Sequence, residues 1–255
     1  MILVPQRKLW TPRQRQRGFI INPFVFGGGG GGGPSTTLTV GLVSWWDFED
    51  GGGTTWVDSH GSNDLTASVS ESSTTGKVGN AVAKVNTSYL TKSANSSLKF
   101  LSGDFTLAMW IKTAVADIGG LNRWAIASGG RSYLILIEGG VAKFGVSTDG
   151  DNVAAIATTG TSLNDDAWHL LVGWRSTTDG KVYIQVDNGT PASTTFSGAS
   201  TLFDCVADFF LGGLGASIYT GAAVFDSCAM WSRELDSTER GLLWNSGAGR
   251  NYASL

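Results

Sequence analysis

"DFTLAMWIKT" (residues 104–113) decides how the chain folds. Its residues alternate between two faces, with Phe105, Leu107, Met109 and Ile111 on one and Thr106, Ala108, Trp110 and Lys112 on the other. Period two is that of a β-strand, whose successive side chains point to opposite sides. The second face still carries Trp110, so the strand is apolar on both sides. That suits a sandwich strand covered twice, or a curved sheet with a groove.

The pattern repeats outward. "TLTVGLVSWWDFED" (37–50) alternates, which places Leu42, Ser44, Trp46 and Phe48 on one face. "SYLILIEGGVAKFGVSTDGD" (132–151) reads as a hairpin turning at Gly139-Gly140, and "AWHLLVGWRSTTDGKVYIQVDNG" (167–189) as a second near Asp179-Gly180. "ADFFLGGLGASIYTGAAVFDSCAMWS" (207–232) reads as a third. Near the end, "LDSTERGLLWNSG" predicts one short helix: Asp236 stands three residues before Glu239, Leu242, Leu243 and Trp244 form an apolar face, and Gly247 ends it. Charged residues are only 15% and glycine is 36 of 255, as many short strands and turns require. The expected fold is all-β: a two-sheet antiparallel jelly-roll sandwich with a short C-terminal helix and an extended N-terminal arm.

The arm is residues 1–26. Pro5, Pro12 and Pro23 interrupt any period, yet the segment carries Trp10, Phe19, Phe24 and Phe26. Arg7, Lys8, Arg13, Arg15 and Arg17 give residues 1–40 a charge of +5 with no acid, and the remaining 13 basic and 21 acidic residues give −8. Prolines, arginines and aromatic anchors suit a peptide that docks along another protein. The acidic domain behind it argues against nucleic acid as the target. Residues 27–36, with seven consecutive glycines, read as a flexible linker, and residues 37–255 as the jelly-roll domain. The start of the chain lacks the apolar core of a secretory signal, and no apolar run approaches 18 residues, so cytoplasmic synthesis and no membrane-spanning helix are expected.

From "GLVSWWDFED" through "DSHGSNDLT" (58–66), "GKVGNAV" (76–82), "DDAWHLLVGWR" (165–175) and "KVYIQVDNG" (181–189) to "GAAVFDSCAMWSRELDSTERGLL" (221–243), the domain resembles the laminin-G-like group of the concanavalin A-like lectin/glucanase superfamily. The order and spacing of these pieces over about residues 40–250 carry the resemblance. It implies a jelly roll. The arm, with "RKLWTPRQ" (7–14), looks like N-termini of bacteriophage virion proteins that carry such a domain. The implied setting is a virion surface, with other virion proteins as partners of residues 1–26 and a multi-copy arrangement on the particle.

The resemblance also implies where chemistry could sit. Domains of this type often bind one Ca²⁺; Asp58, Asn63 and Asp226 match the positions involved, with Glu49 as a fourth. The alternative is that Asp226, an acid inside the apolar "AVFDSCAMW", braces the 58–66 loop. No Cys/His cluster suggests zinc. For a glycan, Arg123 and Trp124 with the loop acids Asp149 and Asp151 are the candidates outside the expected core, most of the ten tryptophans falling on strand alternation. The enzymes of the superfamily carry a Glu-x-Asp-x-x-Glu strand, which is absent; Asp47 and Glu49 are the nearest pair, so no catalytic residue is assigned. His60 and His169 have no nucleophile partner in a recognisable motif. Cys205 and Cys228 would face each other across the third hairpin, although a reducing compartment favours free thiols. Three functional classes remain: host-surface glycan adhesion, structural decoration of a particle, and glycan hydrolysis.

Overall fold

Why a strand such as 104–113 needs two apolar faces is explained by what lies on each side of it in the computed structural model, which describes residues 36–196, 201–216 and 218–255. A helical turn, α1 (Thr36–Thr39), precedes β1 (Leu42–Trp46), β2 (Gly53–Trp56), β3 (Leu65–Thr75), β4 (Asn80–Lys84) and β5 (Leu90–Lys92). Then come β6 (Phe105–Lys112), β7 (Ile118–Trp124), β8 (Arg131–Glu138), β9 (Val141–Val146) and β10 (Ala155–Thr158). β11 (Trp168–Ser176), β12 (Lys181–Val186), β13 (Ala192–Thr195), β14 (Phe209–Leu211), β15 (Ala223–Trp231) and α2 (Ser237–Trp244) complete the order.

The strands form two antiparallel sheets. One runs β4-β15-β6-β11-β12-β13, with β1 also on β15; the other runs β10-β9-β8-β7-β14-β5-β3, with β2 on β3. β3 belongs to both: Thr66 and Ala67 pair with β5, while Ser72–Thr75 pair with β4. Between the sheets, Phe105, Leu107, Met109 and Ile111 of β6 meet Tyr133, Ile135 and Ile137 of β8 in one buried core, with Trp46 stacked on Phe209 at 5.4 Å. Gly173 of β11 faces Phe144 so closely that a Cβ there would lie 2.3 Å from the ring.

The other face of the first sheet is sealed by α2. Ala108 and Trp110 join Leu170, Val172, Trp174, Leu243 and Leu255 in a second buried cluster, and Trp110 stacks on Trp244 at 5.3 Å. The expected capping box is present: Asp236 accepts from the Glu239 amide at 2.8 Å, and Glu239 accepts from the Asp236 amide at 3.0 Å. Such a cap is worth about 1 kcal/mol. The helix ends at Asn245, whose φ of 48° is left-handed, and not at Gly247.

Three sequence expectations need correction. The strand expected from Thr37 begins at Leu42, because 36–39 is helical. A bulge between Leu42 and Ser44 then puts Leu42 beside Trp45 on the α2 side, while Trp46 and Phe48 face the inter-sheet core. One extra residue reverses the faces of everything beyond it. The third hairpin does not form. β14 pairs with β5 and β7, and β15 pairs with β1, β4 and β6, so residues 212–222 carry the chain from one sheet to the other. Cys205 and Cys228 therefore do not face each other; both are free and buried. The arm residues Arg7 to Phe26 and the glycine run lie outside the described residues.

Candidate functional site

Among the described residues no helix lies over the outer face of the second sheet, and a groove forms there. On β8 the alternation that sends Tyr133, Ile135 and Ile137 inward sends Leu134 and Leu136 outward. Together with Trp124 from the end of β7 and Leu214 they make a small apolar cluster separate from the core. Ile156 of β10 and Val153 line one side; Ile218 and Tyr219, held by the Leu214 amide donating to the Ile218 carbonyl at 2.8 Å, line the other. The groove holds about 310 Å³.

Polar groups mark its two ends, each contributed by an end of β8. Arg131 lies over the Trp124 ring, 5.6 Å from its centroid, and donates through Nη1 to the Asp151 carbonyl, while its buried Nε has no partner. At the far end Glu138 accepts from Lys143 and from the Tyr219 hydroxyl. The Lys143 and Tyr219 bonds hold the Glu138 carboxyl below its usual range. The carboxylate in turn pushes the Tyr219 phenol up to about 12, so the phenol stays protonated as a donor at any physiological pH. An apolar floor with a few fixed polar groups is the usual make-up of a small-ligand site. The floor can take an aliphatic or sugar C–H face, while Arg131 donates and Glu138 accepts.

The sequence candidates distribute unevenly. Trp124 reaches the groove, but as a buried floor residue and not an exposed platform. Asp151 adjoins it through Arg131 and accepts from the Gly129 amide at 2.8 Å. Asp149 is occupied within its own turn, accepting from the amides of Asp151 and Asn152 and from the Asn152 side chain; those bonds hold its carboxyl well below the usual range. Arg123 was expected outside the core and is fully buried, on the opposite side of β7 from the groove. The reading failed because "IGGLNRW", with two glycines and two polar residues, is a buried strand that looks like a loop.

The four calcium candidates each accept hydrogen bonds from other groups of this chain. Asp58 accepts from the amides of Trp45, His60, Gly61 and Asn63, which leaves little lone-pair capacity for a metal. The Asn63 side-chain oxygen accepts from Asn95 and Ser97. Both Glu49 oxygens accept from the Asn80 amide, at 3.1 and 3.2 Å. Asp226 accepts from the Val78 amide at 2.8 Å, so it braces the 76–79 turn and not the 58–66 loop. Among the described residues no acid, His and Cys group is arranged for a metal. Asp47 is likewise occupied, by the Tyr252 amide and the Trp45 indole. His60 packs against Tyr252, and His169 lies between Asp187 at 2.6 Å and Asp165 at 3.2 Å.

Sequence reasoning passed over Arg131, Glu138 and Tyr219. A signal was present: two outward leucines on β8, flanked at its ends by a base and an acid.

The fold has well-populated relatives. The binding domain of Paraclostridial Mosquitocidal Protein 1 superposes with a TM-score of 0.65 at 14% identity, over 82% of this chain and 53% of that one. The binding domain of botulinum neurotoxin serotype G does so at 0.63 and 12%, over 84% and 54%. A structure of botulinum neurotoxin type C, whose cell entry depends on interaction with two ganglioside molecules, gives 0.59 and 11%, over 81% and 51%. The chain spans about half the length of these structures, and at such identities the likeness establishes the fold. No curated protein sequence matches the chain. Residues 84–239, well over half of the chain, match the Laminin_G_3 family, and the chain therefore belongs to the concanavalin A-like lectin/glucanases superfamily.

Proposed function

We propose that the domain is a lectin-like adhesion module on a phage particle, tethered to other virion proteins by residues 1–26 and binding a host-surface glycan in the groove on its second sheet. The observation that carries this reading is the groove: Trp124, Leu134 and Leu136 form an apolar floor between Arg131 and Glu138–Tyr219, on a sheet face that no helix of the described residues covers. A pyranose presents an apolar C–H face and a rim of hydroxyls, which matches that arrangement. The superfamily and the ganglioside-dependent entry of one structural neighbour agree with it. The +5 arm joined to a −8 domain supports attachment through one part and display of the other.

The test is a glycan array probed with the full chain, followed by Arg131→Ala and Leu136→Ser. Retention of a defined glycan set, weakened at least tenfold by each variant without loss of the native circular-dichroism spectrum, is the expected result. An array with no ligand, or binding indifferent to both variants, overturns the reading. Deleting residues 1–26 should release the folded domain from particles; retention there would refute the tether.

One observation favours a structural decoration role instead. Ile126, Val153 and Ile218 on the groove rim are 54%, 47% and 36% exposed, an apolar rim that a neighbouring protein could cover. Loss of particle stability without loss of adsorption, on removal of the protein, would select that role. Hydrolysis has the weakest support, since Asp47 and Glu49 are bound to backbone amides of distant segments.

A further inference from the structure

Eight large aliphatic side chains are exposed among the described residues, and three of them, Ile126, Val153 and Ile218, stand round the groove on the second sheet. Each comes from a different segment: Ile126 follows β7, Val153 precedes β10, and Ile218 lies in the crossing between β14 and β15. Single exposed aliphatics are ordinary on a protein surface, whereas a cluster round a concavity marks a contact. Ile156 of β10 and the buried Leu214 extend the same apolar wall inward.

The polar groups at the groove ends have little capacity to spare. Both oxygens of Glu138 accept from this chain, Oε1 from the Tyr219 hydroxyl and Oε2 from Lys143. The Tyr219 proton is thereby committed. Arg131 gives Nη1 to the Asp151 carbonyl, and its Nε is buried. A ligand therefore meets the rest of the half-exposed Arg131 guanidinium and the second lone pairs of Glu138 and Tyr219. An ordinary hexopyranose brings several ring hydroxyls and a hydroxymethyl arm. Pressed against isoleucine and valine, a hydroxyl loses its water and gains no partner. A methyl in that place is instead removed from water favourably. An acetamido group also ends in a methyl, but its N–H and C=O add polar groups that the aliphatic rim leaves unmatched.

Given the glycan reading of the groove, on which this rests, we infer that the site selects a 6-deoxyhexose, a pyranose whose hydroxymethyl arm is reduced to a methyl. The methyl lies against the rim of Ile126, Val153 and Ile218, and a ring hydroxyl takes the Arg131 guanidinium as donor. Floor and rim then divide the work. The floor of Trp124, Leu134 and Leu136 accepts the C–H face of any pyranose, and the three rim residues determine specificity by distinguishing methyl from hydroxymethyl.

The experiment is an NMR titration of the ¹⁵N-labelled full chain with methyl glycosides in matched pairs that differ only in the hydroxyl of the hydroxymethyl arm: quinovose and glucose, L-fucose and L-galactose, L-rhamnose and L-mannose. N-acetylglucosamine is the acetamido control. In at least one pair the deoxy sugar is expected to shift the amides of Ile126, Val153 and Tyr219 saturably, with its hydroxylated parent about tenfold weaker. A closed apolar pocket rejects an added hydroxyl by about a hundredfold, and this rim is open to water. Val153→Thr and Ile218→Thr keep the β-branched shape at exposed positions, so folding is not at stake, and each adds a hydroxyl to the rim. Each should narrow the gap between the deoxy sugar and its parent at least threefold. No response to any deoxy sugar, equal binding within every pair, parents that bind more tightly than their deoxy partners, tighter binding of N-acetylglucosamine than of any deoxy sugar, or an unchanged gap in both variants would each overturn the inference. The glycan reading is judged separately by the array: array ligands without a deoxy preference sink the inference alone, and an array without ligands sinks both.

Discussion

Asp226→Asn isolates an acid whose role the sequence left open between metal ligation and bracing. Asp226 is fully buried in β15, where that strand changes partner from β4 to β1. Burial pushes its carboxyl up to about 7, against the pull of the Val78, Ser227 and Lys77 donors. The sign follows directly. An acid whose folded value lies above its ordinary 3.8 binds more protons in the native state between those two values. Its stability contribution is complete below pH ~4 and is lost as pH rises through about 7. From pH 5 to pH 9 the loss amounts to on the order of 3 kcal/mol, taking 1.36 kcal/mol per pH unit over which the native state alone is protonated. Asparagine keeps the shape, keeps an oxygen for the Val78 amide and cannot ionise. Urea denaturation at pH 5, 7 and 9 should therefore show a wild type that weakens across the range and a variant that weakens less by that amount. At pH 9 the variant should equal or exceed the wild type. A variant that follows the wild-type slope, or that loses several kcal/mol at every pH, would refute the reasoning; the second result would mean that the carboxylate itself is needed, as in a metal site.

Three further outcomes are expected. His169, whose burial is outweighed by Asp187 and Asp165 so that its value rises above 6.5, contributes stability present below that value and lost as pH rises through its folded value; His169→Gln should flatten that part of the pH–stability curve in the same denaturation assay. Gly173→Ala, whose Cβ would meet Phe144 at 2.3 Å, should lower stability by about 1–3 kcal/mol, seen as a fall in Tm. Asp58→Ala leaves four amide donors without their acceptor and should lower stability by about 3 kcal/mol or more, whereas millimolar Ca²⁺ should not move the wild-type Tm in a thermal melt.

What the sequence made legible was decided locally. The alternation of β6 and β8 fixes both faces without knowledge of neighbours, and Gly139-Gly140 and Asp179-Gly180 connect strands that do pair. The capping box of α2 spans four residues and needs nothing else. The misreadings each depend on a partner far away in the chain. The β1 bulge exists only in the register of β1 against β15, nearly 190 residues away, and no feature of "LVSWW" announces it. β14 is three residues long, and the glycine-rich segment after it serves a sheet crossing as well as a hairpin. The buried state of Arg123 depends on carbonyls more than eighty residues away.

Hydrogen-bond capacity separates structure from function more sharply here than residue type does. Sequence reasoning looked to acids for ligand chemistry, since calcium and sugars both favour carboxylates. Yet Asp58, Asp226, Asp149 and Glu49 each spend their oxygens on backbone amides of this chain, and an acceptor so occupied has little to offer a ligand. The two arginines near the ends of β7 and β8 are the reverse case. Arg123 and Arg131 each keep a buried donor unfilled, one beside a pocket and one beside a groove, on opposite sides of the same strand pair. An unmet donor in a buried setting is a standing free-energy deficit, and the two side chains differ in whether a ligand can reach them. Arg131 sits half-exposed against Trp124 with Glu138 at the other end of its groove, an arrangement for a neutral ligand with hydroxyls. Arg123 is fully buried and spends Nε and Nη2 on the carbonyls of Cys205 and Ala207, an arrangement that holds the 205–207 segment to β7. Arg123→Gln should therefore lower Tm by loosening that segment and leave the response to neutral glycans unchanged, whereas Arg131→Ala should weaken that response with little change in Tm.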